Sequence, residues 1–209
     1  MSVNAEQIGS FKIITLGDSG VGKTSILKRF VSGKFEHKTL SIIGFETSTK
    51  NITLKNGTKI QLRLIDTAGQ ENYQALSTSY IRNADGALFI FSHDSKESFN
   101  NIKRWLNSFK NNNREFDLDT EFEFPAYLVG NKCDLEHVIG DKEIESLKNE
   151  NNFYGYMDTS AKEDIGIDKI FYDMGEMLMK KKVKNNIQQQ SVILSFKPRK
   201  KHRCFLCQK

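Results

Sequence analysis

The chain has 209 residues, 38% of them hydrophobic and 27% charged, which is enough for one well-buried domain and short for two. No run of about 18 apolar residues occurs and the first dozen residues lack an apolar stretch, which argues against a membrane span and a cleaved signal peptide. The net charge of +5 is uneven. Ten basic and no acidic residues lie from Lys180 onward, so the tail carries +10 and the remainder −5. Ser2 excludes N-myristoylation, and an odd count of three cysteines points to a reducing compartment without a disulfide framework.

Phe11-Lys12-Ile13-Ile14-Thr15-Leu16 reads as a short β-branched strand. It runs into Gly17-Asp18-Ser19-Gly20-Val21-Gly22-Lys23-Thr24, which fits the phosphate-binding pattern G-x-x-x-x-G-K-[ST]. Ser25 to Val31 opens a helix with Ile26, Leu27, Phe30 and Val31 available to one buried face. The spacing suits anion binding. Glycines let the backbone curl so that successive N–H groups point inward, and the helix N-terminus adds partial positive charge there. Lys23 is expected on the outer phosphates and the Thr24 hydroxyl on Mg²⁺. A Gly-rich turn matching by chance is the alternative, and the strand and helix flanks argue against it.

Ser32 to Gly44 lacks periodicity and reads as a surface loop. Phe45 to Leu54 and Thr58 to Ile65 read as strands joined by Asn56-Gly57, a two-residue hairpin signal. Asp66-Thr67-Ala68-Gly69-Gln70-Glu71 follows directly. Gly86 to Phe91 is a continuous apolar run, as in a strand covered on both faces. Phe99, Ile102, Trp105, Leu106 and Phe109 fall on one helical face, with Asp94 or Ser95 as N-cap. Asn111 to Phe124 is polar and acidic and reads as a loop insertion. Pro125 to Gly130 is a further buried strand ending at Asn131-Lys132-Cys133-Asp134. A helix over Asp141 to Glu150, a short strand over Phe153 to Met157, and Ser160-Ala161-Lys162 come next. Ile167, Ile170, Phe171, Met174 and Leu178 mark the stripe of a last helix. Strands alternating with helices predict an α/β fold, a mostly parallel sheet with helices on both faces and one core over roughly residues 10–180.

Three later motifs test the first. Asp66 ends a strand where a metal-bound phosphate needs a carboxylate, Gly69 offers an unobstructed N–H to a terminal phosphate, and Gln70 can orient an attacking water. Asp134 can accept from the N1–H and the exocyclic amine of guanine, where adenine offers neither, and mispairing a buried polar group costs roughly 1–3 kcal/mol. Ser160-Ala161-Lys162 would close the other edge of the base. Each alone is consistent with an ordinary polar loop after a strand. Together, and in this order, they point to a guanine nucleotide.

The set Gly17–Thr24, Asp66–Glu71, Asn131–Asp134 and Ser160–Lys162 resembles the Ras superfamily of small GTPases from Phe11 to Lys182. Ile43-Gly44-Phe45, Tyr80-Ile81-Arg82 and the basic cysteine-containing tail are most similar to its Rab branch. The resemblance implies a three-layer P-loop NTPase fold: a six-stranded, mostly parallel sheet with one antiparallel edge, and five helices. It implies a GTP-binding domain over 11–182, an N-terminal extension over 1–10 and a flexible basic tail over 183–209. It implies GTP/GDP and Mg²⁺ held by Asp18, Ser19, Gly20, Val21, Gly22, Lys23, Thr24, Ser25, Phe35, Asp66, Gly69, Asn131, Lys132, Asp134, Ser160, Ala161 and Lys162. Among these, Thr24 and Asp66 would serve as metal ligands and Phe35 as the ring stacked on guanine, and Gln70 would be the catalytic residue. Ser32 to Thr47 would be the first switch and Ala68 to Ser79 the second. An exchange factor, a GTPase-activating protein (GAP), a GDI-type escort and effectors are the implied partners. The implied role is a monomeric switch in vesicle traffic, on the cytoplasmic face of intracellular membranes and cycling with the cytosol, with no nucleic-acid partner.

The sequence also departs from that family. The switch threonine that gives Mg²⁺ a hydroxyl falls on Ile42, with Thr39 and Ser41 near but out of register. Of the Rab aromatic trio only Tyr80 remains, with Thr47 and Ile65 at the other two positions. A nucleotide-dependent binding module with negligible hydrolysis is therefore the second reading. Asn185 to Gln190 reads as a solvated linker. Lys197 to Arg203 followed by Cys204 and Cys207 resembles a prenylated polybasic tail, although Cys204-Phe205-Leu206-Cys207-Gln208-Lys209 matches neither C-a-a-X nor the usual Rab pair. Cys133 reads as a small buried residue.

Overall fold

The computed structural model describes residues 9–36, 45–67, 81–112 and 124–195, with side chains to residue 184. Ile42, Gly69, Gln70, Cys204 and Cys207 lie outside these residues, as do the second switch and most of the 111–124 insertion.

Among the described residues six strands form one sheet: β1 (Gly9–Leu16), β2 (Phe45–Thr53), β3 (Lys59–Thr67), β4 (Gly86–Ser92), β5 (Ala126–Asn131) and β6 (Gly155–Asp158), in the order β2-β3-β1-β4-β5-β6. Only β2 is antiparallel to its neighbour, pairing Phe45 with Thr67 and Thr53 with Lys59. The helical segments among the described residues are α1 (Lys23–Ser32), α2 (Lys96–Asn100), α3 (Ile102–Asn112), α4 (Asp141–Glu150) and α5 (Ile167–Ser195).

The strand period of two builds the layers. Ile13, Leu88, Ile90 and Val129 point to one face, where they meet Ile26, Phe30, Phe171 and Met174 of α1 and α5. Ile14, Phe89, Phe91 and Leu128 point to the other, against Phe99, Trp105, Phe109 and Leu147 of α2, α3 and α4. Phe30 stacks on Phe171 with ring centroids 4.0 Å apart, joining the helices of the first layer. Such a pair adds roughly 0.5–1.5 kcal/mol beyond the area it buries.

Several boundaries differ from the sequence reading. The Asn56-Gly57 hairpin is a three-residue loop: Leu54 and Thr58 still pair, Gly57 N–H donates to the Leu54 carbonyl at 2.9 Å, and Gly57 has φ 82°. A type I turn closed by a left-handed glycine uses one more residue than the two-residue form, so Lys55 joins the loop. The helix read through Phe99 to Phe109 divides at Asn101, and Ser95, not Asp94, caps α2 by accepting from Ser98 N–H. α5 continues to Ser195, so 185–190 are helical where composition suggested a linker. Lys, Asn and Gln without Gly or Pro do not oblige a helix to stop. β1 begins at Gly9, two residues before the strand read from sequence.

Candidate nucleotide site

The parallel strands put the motifs together because each motif follows the C-terminal end of a strand. Such ends form the ligand crevice of open α/β sheets. The loop after β1, the end of β3, the loop after β5 and the loop after β6 all lie along this one edge.

The loop from Gly17 to Gly22 needs two of its glycines for space. A Cβ on Gly17 would sit 2.1 Å from the Ile90 carbonyl oxygen, and one on Gly22 would sit 2.2 Å from Asn131 Nδ2. Lys23, 5% exposed, donates to the carbonyls of Gly17 at 2.9 Å and Asp18 at 2.7 Å. Burial lowers its pKa to about 8, against the pull of Asp66 and Asp18. Ser19 and Gly20 are exposed, Val21 is buried, and Thr24 and Ser25 are half-buried at the start of α1.

Asp66 sits inside β3, buried, opposite Glu46. Desolvation raises its pKa, opposed by hydrogen bonding from Thr24 and by the Lys23 charge. Its Oδ1 is buried with no hydrogen-bond partner among the described residues. An orphaned carboxylate oxygen beside a threonine hydroxyl fits a hard divalent cation that takes most of its other ligands from water and phosphate. Thr24 and Asp66 could therefore hold Mg²⁺.

The Asn131–Asp134 motif is tied to the Gly17–Thr24 loop and to Ser160–Lys162 by side chains. Asn131 donates from Nδ2 to the Val21 carbonyl at 2.8 Å and accepts at Oδ1 from the Thr159 hydroxyl at 3.2 Å. Ser160, buried, donates to Asp134 Oδ1 at 2.5 Å, and Lys162 Nζ lies 3.7 Å from Asp134 Oδ2. That hydroxyl, with Lys162 contributing, holds the Asp134 carboxyl below the usual range, against desolvation. Lys132, with φ 59°, reaches Asp94 at 3.5 Å. Cys133 is half-buried, more open than its reading as a buried residue.

Three residues gain roles that the motifs did not signal. Arg29 donates from Nε to the Ala161 carbonyl at 2.8 Å, and from its terminal nitrogens to Lys162 and Gly33 at 2.9 Å. Its guanidinium lies 5.8 Å from the Phe35 ring, so one side chain gathers Ala161, Lys162 and Phe35. Trp105 and Asn101 both donate to the Asp18 carboxylate at 2.7 Å. The sequence offered only Trp105's place in a hydrophobic stripe.

A family model described as the Ras family matches residues 12–180. The chain belongs to the Ras family. Within that family it is Rab-like. It is 36% identical over 173 residues to Ras-related protein Rab-10 of Caenorhabditis elegans, covering 82% of each chain. It is 39% identical over 174 residues to Ras-related protein Rab-1C of Dictyostelium discoideum, covering 81% of each. Against GTP-binding protein ypt3 of Schizosaccharomyces pombe it is 37% identical over 163 residues, covering 77% of this chain and 72% of that one. As a Rab-like small GTPase of the Ras family, it carries the six-stranded sheet that membership implies.

Proposed function

We propose that this chain is a GTP-hydrolysing switch of intracellular vesicle traffic, binding GTP and GDP with Mg²⁺. The observation that carries the reading is the Asp134 carboxylate, held ionised by Ser160 and coupled through Asn131 to the phosphate loop. Phosphates would be met by the N–H groups of residues 18–25 and by Lys23, and guanine by Asp134, with Phe35 stacked on its face and Ser160–Lys162 at its other edge. Bound Mg²⁺ supplies charge neutralisation at the phosphates. Gln70 would orient the attacking water, and Gly69 would contact the terminal phosphate.

The switch rests on two loops that the terminal phosphate holds and hydrolysis releases. No arginine in the motifs is an obvious built-in finger, so turnover is slow without a GAP. An exchange factor, a GDI-type escort and effectors complete the cycle. No helix among the described residues is long and apolar enough to cross a membrane. The basic tail, with Cys204 or Cys207 prenylated, would supply the two weak membrane signals that peripheral anchoring needs.

Ile42 favours a second reading, a binding module with negligible hydrolysis. A missing metal ligand costs about 1–3 kcal/mol and would cut the contrast between GTP and GDP states by about tenfold. Single-turnover GTP hydrolysis and Mg²⁺ titration of the wild type and Ile42→Thr test both readings. Measurable wild-type hydrolysis, with tighter Mg²⁺ binding in Ile42→Thr, is expected. Hydrolysis found only in the variant would establish the second reading, and a purified chain that prefers ATP would overturn both.

A further inference from the structure

His93 is buried, 1% exposed, immediately after β4. Its main chain is stitched to the base-reading loop on both sides: His93 N–H donates to the Asn131 carbonyl at 2.9 Å, and the His93 carbonyl accepts from Val138 N–H at 3.0 Å. The ring fills a space that Gly130 leaves open. A Cβ on Gly130 would lie 2.4 Å from His93 Nε2 and 2.7 Å from the Tyr156 hydroxyl. From β6, Asp158 Oδ1 lies 2.6 Å from His93 Nε2 and the Tyr156 hydroxyl lies 3.2 Å away. Tyr156 also donates to that Asp158 oxygen. From the loop after β5, His137 stacks on His93 with ring centroids 3.8 Å apart and planes 13° apart. His137 Nε2 in turn sits 3.3 Å from the Cys133 carbonyl. Cys133 lies inside the Asn131–Asp134 loop.

A neutral imidazole with its proton on Nε2 satisfies this arrangement. Its single Nε2 proton goes to Asp158, with the Tyr156 oxygen a longer contact to the same nitrogen, and its Nδ1, which has no partner among the described residues, keeps a lone pair rather than an unpaired N–H. Adding a proton changes two things. The new Nδ1–H is buried with no acceptor, which is costly. A positive charge also appears against the stacked face of the His137 ring, 3.8 Å away. Asp158 offsets part of that charge but is half-exposed, so solvent weakens its hold. Other ionisable groups near the cluster are Tyr156, Cys133 with Asp134 beside it, Asp94 with Lys132 upon it, and Asp141 at the start of α4; none of these described residues is a hydrogen-bond partner of Nδ1.

We propose that His93 is a positioning residue for base recognition, and that its protonation loosens the Asn131–Asp134 loop and speeds release of a guanine nucleotide. This rests on the guanine reading above. The ligand contacts themselves are untouched by His93, which acts through the loop that carries them.

The test uses the full chain loaded with N-methylanthraniloyl-GDP, whose dissociation is followed from pH 7.5 to 5.5 beside thermal unfolding at each pH. The wild type is expected to release the nucleotide about three- to tenfold faster at the acid end, the scale of one lost hydrogen bond. His93→Gln retains a donor for Asp158 and cannot titrate. It should match the wild type at pH 7.5 and show a flat profile. His93→Val should release faster across the whole range, and if it does not fold, the His93→Gln profile alone decides. A His93→Gln profile as steep as the wild type's, or a flat wild-type profile, overturns the proposal and leaves the guanine reading intact. Failure of the wild type to bind the labelled GDP overturns both.

Discussion

Asp18 stands in the Gly17–Thr24 loop, and its carboxylate accepts from Trp105 Nε1 and Asn101 Nδ2, each at 2.7 Å. Both donors belong to the α2–α3 segment, so these bonds fasten the loop to a helix packed on the far layer of the sheet. Trp105→Phe keeps most of the buried ring and removes one donor. A hydrogen bond to a charged group is worth about 1.5–3 kcal/mol. Asp18 is half-buried and can recruit water in its place, which lowers the expected loss to about 1–2 kcal/mol. Asp18's own carbonyl receives the Lys23 ammonium, so a loosened Asp18 also loosens the lysine proposed to meet the phosphates. The assay is a double-mutant cycle of Trp105→Phe and Asp18→Ala, read by urea unfolding and by GDP dissociation. A coupling of about 1–2 kcal/mol is expected, with GDP release accelerated about five- to thirtyfold in either single variant. Additive losses, with a coupling under about 0.3 kcal/mol and GDP release unchanged, would refute the claim that the pair positions the loop.

Asp134→Asn removes the charge from an acceptor that would serve two guanine N–H groups, so GDP affinity should fall by at least about a hundredfold. Xanthine carries an oxo group where guanine carries the amine, and the asparagine amide can donate to it. Competition binding should therefore show XDP gaining on GDP, and an unchanged GDP-to-XDP ratio would contradict the assignment. Burial lowers Lys23 to about 8, so the nucleotide-free folded chain holds this proton less tightly than the unfolded chain does. Between that pH and an unfolded lysine value of about 10.4 the unfolded state binds more protons, and stability rises with pH. The penalty is fully present below the folded value. Lys23→Met lacks it, so the stability advantage of Lys23→Met over the wild type should shrink by about 2 kcal/mol between pH 7.5 and 9.5 in urea unfolding. A difference independent of pH would show that the ammonium is not desolvated.

The Gly17–Thr24 loop, the order of strands and helices and the two-faced sheet were legible in the amino acids because they are local. Glycine spacing and the periods of two and 3.6 are carried by neighbours in the chain, and the apolar run Gly86 to Phe91, read as a covered strand, forms one. Asp66, Asn131, Asp134 and Ser160 could be picked out for the same reason, each from a short motif at a strand end. Which side chains hold those motifs in place was decided only by folding. Trp105 lies 87 positions from Asp18, Ala161 lies 132 from Arg29, and Asp158 lies 65 from His93. Trp105 reads as part of a hydrophobic stripe, and neither Arg29 nor His93 belongs to any motif, until parallel pairing brings the strand ends to one edge. A hydrogen bond needs its donor and acceptor within about 3 Å, and no periodicity along the chain encodes that approach.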